Sequence, residues 1–154
     1  MTVLTFDTYK PEYAEAFKRL NLAWLEEFFY VERHDDEVLS KPKEYIIDPG
    51  GHVLVAKRND NVVAVVALMK VGDSVFELTK MAVDTKYRGQ QMGQQLMAYC
   101  MAFVKEKKID HLILYSNRIL VNALHIYRKF GFREVPLEKD NPYDRADIKM
   151  KLRV

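Results

Sequence analysis

Asp84-Thr85-Lys86-Tyr87-Arg88-Gly89-Gln90-Gln91-Met92-Gly93-Gln94-Gln95-Leu96 is the stretch on which the reading of this chain turns. It follows an apolar run, Met81-Ala82-Val83, that reads as a strand. It leads into residues 92–107, where Met92, Leu96, Cys100, Phe103 and Val104 recur at helical spacing. A turn that sets two glycines and an arginine at a helix N-terminus leaves the first backbone N–H groups unpaired, with the positive end of the helix dipole behind them. That is an anion site, most naturally for a pyrophosphate. The dinucleotide spacing G-x-G-x-x-G is absent, and the Walker spacing fails because Gly93 is followed by Gln94-Gln95.

Working outward, the 154 residues are 49% hydrophobic and 30% charged, which predicts one globular domain over 1–154 with a proper core. No 18-residue apolar run and no leader pattern at Met1-Thr2-Val3-Leu4 are found, so a soluble, cytoplasmic protein with no membrane partner is expected. The single cysteine, Cys100, falls on the apolar face of its helix and reads as a packed core thiol. Residues 1–83 carry ten Lys/Arg against fourteen Asp/Glu, residues 84–154 fourteen against eight, so the anion loop sits in the basic half. Those basic residues are scattered with little aromatic interleaving, which argues against a nucleic-acid surface; a phosphorylated cofactor suffices.

In chain order, Val3–Phe6 alternates as a short strand and Lys10-Pro11-Glu12 opens a long helix. Phe17, Leu20, Trp24 and Phe28 form a stripe that is expected to pack on the core. Glu26, Glu27, Glu32, Asp35, Asp36 and Glu37 make the other side acidic: either a solvated face or a surface that attracts a cationic amine. The runs 53–57, 62–71 and 75–83 are joined by short turns and read as an antiparallel meander. Residues 111–115 then return beside the third strand, a right-handed crossover with parallel pairing. A second helix at 120–130 ends at Gly131, and strands at 132–135 and 146–152 complete a mixed sheet.

The anion loop, entered through Val83-Asp84 and read as Arg88-Gly89-Gln90-Gln91-Met92-Gly93, resembles the R/Q-x-x-G-x-G/A coenzyme A loop of the GNAT acetyltransferase superfamily. Gln91 stands where that pattern has its first glycine, so the turn is expected at Gly89 and Gly93 instead. The segment from Asn122-Ala123-Leu124 through Tyr127 to Gly131-Phe132 resembles the family's N-A-x-x-L-Y-x-x-x-G-F. Asn21, Trp24, Phe29, Glu32, Asp35, Leu39, Pro42 and Pro49-Gly50-Gly51 look like a GNAT subgroup found alone or fused behind winged-helix regulators. The resemblance implies a mixed sheet with helices on both faces, a splayed pair of parallel strands, and acetyl-CoA as co-substrate. It further implies that the Met81 and Val83 backbone binds pantetheine, that Arg88, Gly89, Gln90, Gln91, Met92, Gly93 and Gln94 hold the pyrophosphate, and that Asn122 reaches the pantetheine arm.

An alkylamine must lose a proton before attacking a thioester, and Glu77, on the strand entering the site, is the candidate base. By alternation it shares a face with Thr79 and Met81 unless a bulge intervenes. Tyr127, facing the sulfur by resemblance, is the candidate acid for the leaving thiolate. Glu32 and Asp35, on the subgroup pattern, are the candidate acceptor contacts. His34, His52, His111 and His125 have no metal-ligand spacing, so no metal is expected, and no G-x-S-x-G elbow is present. The reading is an N-acetyltransferase acting on a small-molecule or peptide amine in a ternary complex, with a homodimer allowed as the assembly. A non-catalytic CoA-binding regulatory module is the alternative.

Overall fold

The computed structural model describes residues 3–154; the leader reading at Met1 and Thr2 lies outside them. The first strand, β1 (Thr5–Thr8), starts two residues later than the alternation suggests. Pro11 opens a short turn of helix, Pro11–Tyr13, that runs into α1 (Ala14–Phe28), its missing N–H falling where none is needed. In α2 (Arg33–Ser40) the Asp35 carboxylate reaches back to accept the Glu32 backbone N–H at 3.1 Å, half of a capping box.

A π-helical turn at Lys43–Ile47 precedes the meander β2 (His52–Arg58), β3 (Asn61–Gly72) and β4 (Val75–Val83). Asn59 and Asp60, with φ of 51° and 67°, make the two-residue turn between β2 and β3, whose twist suits the flanking strands. The chain continues as α3 (Met92–Glu106), β5 (His111–Ser116), α4 (Val121–Lys129), β6 (Arg133–Val135) and β7 (Ile148–Arg153). At the end of α4 the Phe132 N–H donates to the Tyr127 carbonyl and the Gly131 N–H to that of Arg128, each at 3.0 Å. These nested bonds need the positive φ of 105° at Gly131.

Among the described residues, seven strands form one mixed sheet in the order β1-β2-β3-β4-β5-β7-β6, with β4 and β5 parallel and every other pair antiparallel. Helices cover both faces, which is why the middle of β3 (Val63 to Leu68) is buried without interruption rather than alternating. Leu54, Ala56, Val66, Leu68, Phe76 and Leu78 face α3 and α4, packing on Leu96, Met97, Cys100 and Leu124. Val53, Val55, Val65, Ala67 and Ala82 face α1 and α2, against Phe17, Leu20, Val38 and Leu39. Each Val, Leu, Phe or Met among them contributes about 1.5–3 kcal/mol, so these two layers supply most of the stability. Burial also pushes the Cys100 thiol up to about 12, as befits a packed core residue.

Two irregularities in β4 set the rest of the molecule. Its parallel pairing with β5 covers only Val75, Phe76 and Glu77, after which the strands separate. Beyond that point Lys80 adopts φ 55° and the register against β3 shifts, a bulge that turns Lys80 toward α2. There Lys80 Nζ donates to Asp35 Oδ1 at 2.6 Å, and Arg145 donates to both Asp35 oxygens at 2.6 and 2.9 Å. Asp35 is wholly buried and the Lys80 side chain is 2% exposed, so α2, the β4 bulge and the segment between β6 and β7 are tied together inside the protein.

Burial pushes the Asp35 carboxyl up, but the Arg145 hydrogen bonds and the Lys80 charge outweigh it and hold the group at about 2, against an ordinary 3.8. A depressed folded pKa means that the stability is fully present above pH 3.8 and is lost as pH falls toward 2. Over that window the wild type is expected to lose roughly 2 kcal/mol more than Asp35→Asn, which is less stable at neutral pH but flatter in acid. Denaturant unfolding at a series of pH values measures both; parallel curves would refute the assignment.

Candidate active site

Where β4 and β5 part, a cleft of about 590 Å³ opens. One wall is the end of α1, with Trp24, Phe28 and Phe29; another is the loop from Tyr87 and the first turn of α3. Asn122, Ala123, Ile126 and Tyr127 of α4 and Tyr115, Ser116 and Asn117 close the remaining side. The expected α1 stripe therefore divides: Phe17 and Leu20 are core, whereas Phe28 is 40% exposed and lines the cleft with Trp24.

The β4 edge that faces β5 carries no strand pairing from Leu78 to Val83 among the described residues, leaving the backbone at Met81 and Val83 free on the cleft. Backbone amides and carbonyls there need partners, and an amide-bearing chain laid along the edge would supply them. Both residues' side chains pack on the α3 side, filling the gap beneath the loop.

The turn before α3 is made differently from the sequence expectation. Gln91 itself takes the left-handed conformation, φ 61° and ψ 22°, and Gly89 also has positive φ, 79°. Gly93 does not: it lies in the first turn of α3, where an added Cβ would sit 3.5 Å from Val83 Cγ2. The left-handed region is disfavoured but not forbidden to a side-chain residue, costing roughly 1–2 kcal/mol, and the surrounding turn holds it there. The Gln91 carbonyl accepts the Gln95 N–H at 3.0 Å, so the N–H groups of Met92, Gly93 and Gln94 are those left over at the helix start. The cradle therefore fits a pyrophosphate, and the backbone edge fits a pantetheine arm. The Arg88 guanidinium stacks 5.4 Å over the Phe28 ring and pairs with Glu27, linking the loop to the end of α1; the Gln90 side chain accepts from Arg58 at 3.3 Å.

Tyr127 lines the cleft with its ring edge-on to Phe132, and burial pushes its phenol up to about 12, so it carries its proton at neutral pH. Asn122 stands exposed on the same helix, one turn earlier. Glu77 departs from the alternation argument. It shares a face with Thr79, as expected, but the bulge at Lys80 puts Met81 on the opposite face, among the α3 residues. Glu77 is also 6% exposed and off the cleft wall, sealed by the Tyr143 hydroxyl, which donates to Glu77 Oε2 at 2.6 Å and lies 3.1 Å from Thr79 Oγ1. Burial pushes the Glu77 carboxyl up despite that hydrogen bond.

The acidic run is only in part an open anionic surface: Glu26 and Asp36 are exposed, but the other four carboxylates are paired. Glu27 pairs with Arg88, Glu37 with Arg33, and Glu32 with Arg145 at 2.7 Å, while Asp35 is consumed by Lys80 and Arg145. Neither Glu32 nor Asp35 lines the cleft, so direct contact of these two with an acceptor is corrected to a role in holding Arg145 and Lys80. Lys80 and Tyr143 escaped the sequence reading. A lysine inside the apolar run from Leu78 to Val83 was the available signal, since a buried ammonium requires a partner. Among the described residues no cluster of three or more His, Cys, Asp or Glu is placed to hold a metal, and no helix is long and apolar enough to cross a membrane.

Residues 49–134 match the family model described as an acetyltransferase (GNAT) domain. Mouse N-acetylaspartate synthetase is 28% identical over 119 residues, covering 77% of this chain and 38% of that protein. Human N-acetyltransferase 8B is 25% identical over 97 residues, 60% of this chain and 43% of that one, so the chain spans about two fifths of the length of these relatives. In fold it is similar to a GNAT-family acetyltransferase from Staphylococcus aureus Mu50, with TM-score 0.85, 22% identity and coverage of 98% and 99% of the two chains. It is also similar to the PaiA N-acetyltransferase of Thermoplasma acidophilum, crystallised in complex with coenzyme A, with TM-score 0.75, 17% identity and 99% of each chain covered. With more than half its length on the family model and the loop, bulge and splayed strands in place, the chain belongs to the GNAT acetyltransferase family.

Proposed function

We propose that this protein, acting as one domain, transfers an acetyl group from acetyl-CoA to the primary amine of an acceptor by direct attack in a ternary complex. The observation that carries the reading is the junction of an anion cradle at the start of α3 with a free β4 edge, both opening on one cleft. The N–H groups of Met92, Gly93 and Gln94, with the backbone of Gly89, Gln90 and Gln91, hold the pyrophosphate; Met81 and Val83 hold the pantetheine amides; Asn122 steadies the arm. When Arg88 leaves Glu27 for the phosphates it exchanges one anion for a more highly charged one.

Acetyl-CoA supplies an activated thioester carbonyl. The residues around it manage the protons. The amine nitrogen forms the new C–N bond as the C–S bond breaks; its proton passes to the Tyr143 oxygen as the Tyr143 proton crosses the hydrogen bond to Glu77, whose oxygen lies 2.6 Å from the Tyr143 oxygen. Glu77 so acts as base through Tyr143, which suits its position off the cleft wall. Tyr127 gives its proton to the departing sulfur, a donor whose high pKa keeps it loaded.

Two outcomes are expected. Acetyl-CoA is bound calorimetrically by the wild type. Gly93→Leu, which drives a side chain against Val83 and Met81 beneath the loop, weakens that affinity at least tenfold, whereas Gln91→Gly relieves the left-handed strain and leaves it equal or tighter. Unchanged affinity in Gly93→Leu would remove the loop from the cofactor site.

CoA thiol release across a panel of amines tests transfer itself. Tyr127→Phe is expected to lower turnover by about 10²- to 10⁴-fold with acetyl-CoA affinity preserved, because positioning of the two reactants survives. Binding of acetyl-CoA with no thiol released by any amine would favour the non-catalytic module instead.

A further inference from the structure

The Lys and Arg side chains on the cleft wall are Lys80, Arg88 and Arg145, and no Asp or Glu lines it among the described residues. Arg88 belongs to the cofactor loop. Lys80 and Arg145 do not, and both sit around one ring: Lys80 Nζ is 4.9 Å and the Arg145 guanidinium carbon 4.8 Å from the Tyr143 centroid. Their counter-charges, Glu32 and Asp35, lie behind them on the α2 side and off the cleft. Lys80 and Arg145 thus belong to the lining of the cleft, and the carboxylates that neutralise them do not.

Among the described residues neither cation finds an acceptor for all its hydrogens. Among the described residues Lys80, 2% exposed, donates to Asp35 alone, leaving two of an ammonium's three N–H groups without an acceptor there. Arg145 makes three hydrogen bonds, to Glu32 and twice to Asp35, out of the five N–H groups a guanidinium carries. Donors on buried cations are costly to leave unmade. An anion in the cleft would take them up, and a second cation there would be repelled.

The place of Tyr143 sets the length of such a ligand. Its ring is shared by the two cations, and its hydroxyl, 2.6 Å from Glu77, is where the acceptor's proton leaves in the reading above. An anionic group on Lys80 and Arg145 puts the reacting nitrogen beside that hydroxyl only if the two are a few bonds apart. Resting on that reading, we propose that the acceptor is a free amino-acid-like zwitterion, a primary amine with a carboxylate two or three bonds from its nitrogen. Lys80 and Arg145 receive the carboxylate. A polyamine or a lysine side chain is thereby disfavoured, and the cationic acceptor that the acidic run suggested is replaced by its opposite.

The test uses matched sets: each common amino acid against its own decarboxylated amine and its own amide. Binding to the full-length protein saturated with CoA is measured by calorimetry, and thiol release is measured with acetyl-CoA. At least one amino acid is expected to bind about 10- to 100-fold more tightly than both of its partners. In Lys80→Met that preference falls to within about threefold, with CoA affinity as wild type. Because Lys80→Met leaves Asp35 one partner short, Lys80→Met with Asp35→Asn is measured beside it; this removes both charges of the pair and is expected to lose the preference in the same way. Equal or tighter binding of the decarboxylated amines, absence of binding by every amino acid, or full preference retained in a folded Lys80 variant would each overturn the inference. Preferential binding without thiol release keeps Lys80 and Arg145 as an amino-acid carboxylate site and sinks the acetyl-transfer reading. Release with decarboxylated amines as fast as with amino acids does the reverse.

Discussion

Everything distinctive about this molecule depends on the parallel pairing of β4 with β5 ending after Glu77 and Ile113. β5 goes on pairing with β7 from His111 through Ser116, and β4 goes on pairing with β3 as far as Val83, so each strand follows its antiparallel neighbour and the two diverge. Sheets twist, and a two-strand parallel contact is the weaker one to hold against two antiparallel ladders. The separation creates a backbone edge inside the protein that is neither paired nor on the outer surface. A site for a chain of amides is the direct consequence, and the helix that follows β4 brings its unpaired N–H groups to one end of the same cleft.

The bulge at Lys80 adds the second constraint. A left-handed lysine costs roughly 1–2 kcal/mol, and the ion cluster it joins is not by itself a large source of stability, since the desolvation of four charges nearly offsets their attraction. Removing one partner is another matter: an uncompensated charge in that interior costs about 3–5 kcal/mol. The cluster therefore acts less as a stabiliser than as a fixture of geometry, while Val53 to Ala56 and Val63 to Leu68 in their apolar layers carry the stability. It fixes α2 and the Tyr143 to Arg145 segment against β4, and so fixes the Tyr143 hydroxyl on Glu77.

The order of elements was legible in the sequence, because each rests on near neighbours. Met92, Leu96, Cys100 and Val104 announce α3 by spacing alone, Asn59-Asp60 announces its turn by chemistry, and Gly131 its cap. The anion cradle was legible for the same reason. What went astray at Gln91 was the inference from residue type to conformation: glycine is the residue most at ease at positive φ, but a tight turn imposes it on a glutamine at modest cost.

By itself, then, the sequence determined the mixed sheet with its two helical layers, the family, and which loop leaves its N–H groups unpaired at a helix start, all of which follow from patterns within about a dozen residues. Only the tertiary structure decided which charges face the cleft. Lys80 meets Asp35 across 45 positions and Arg145 meets it across 110, so no local pattern relates them. One bulge reverses the faces of β4 between Thr79 and Met81, and a one-residue shift in a strand exchanges every side chain between the two sides of the sheet. Of the acidic run read from composition as a negative surface, Glu32 and Asp35 are turned inward, and the cavity is lined by Lys80 and Arg145 rather than by the carboxylates that neutralise them.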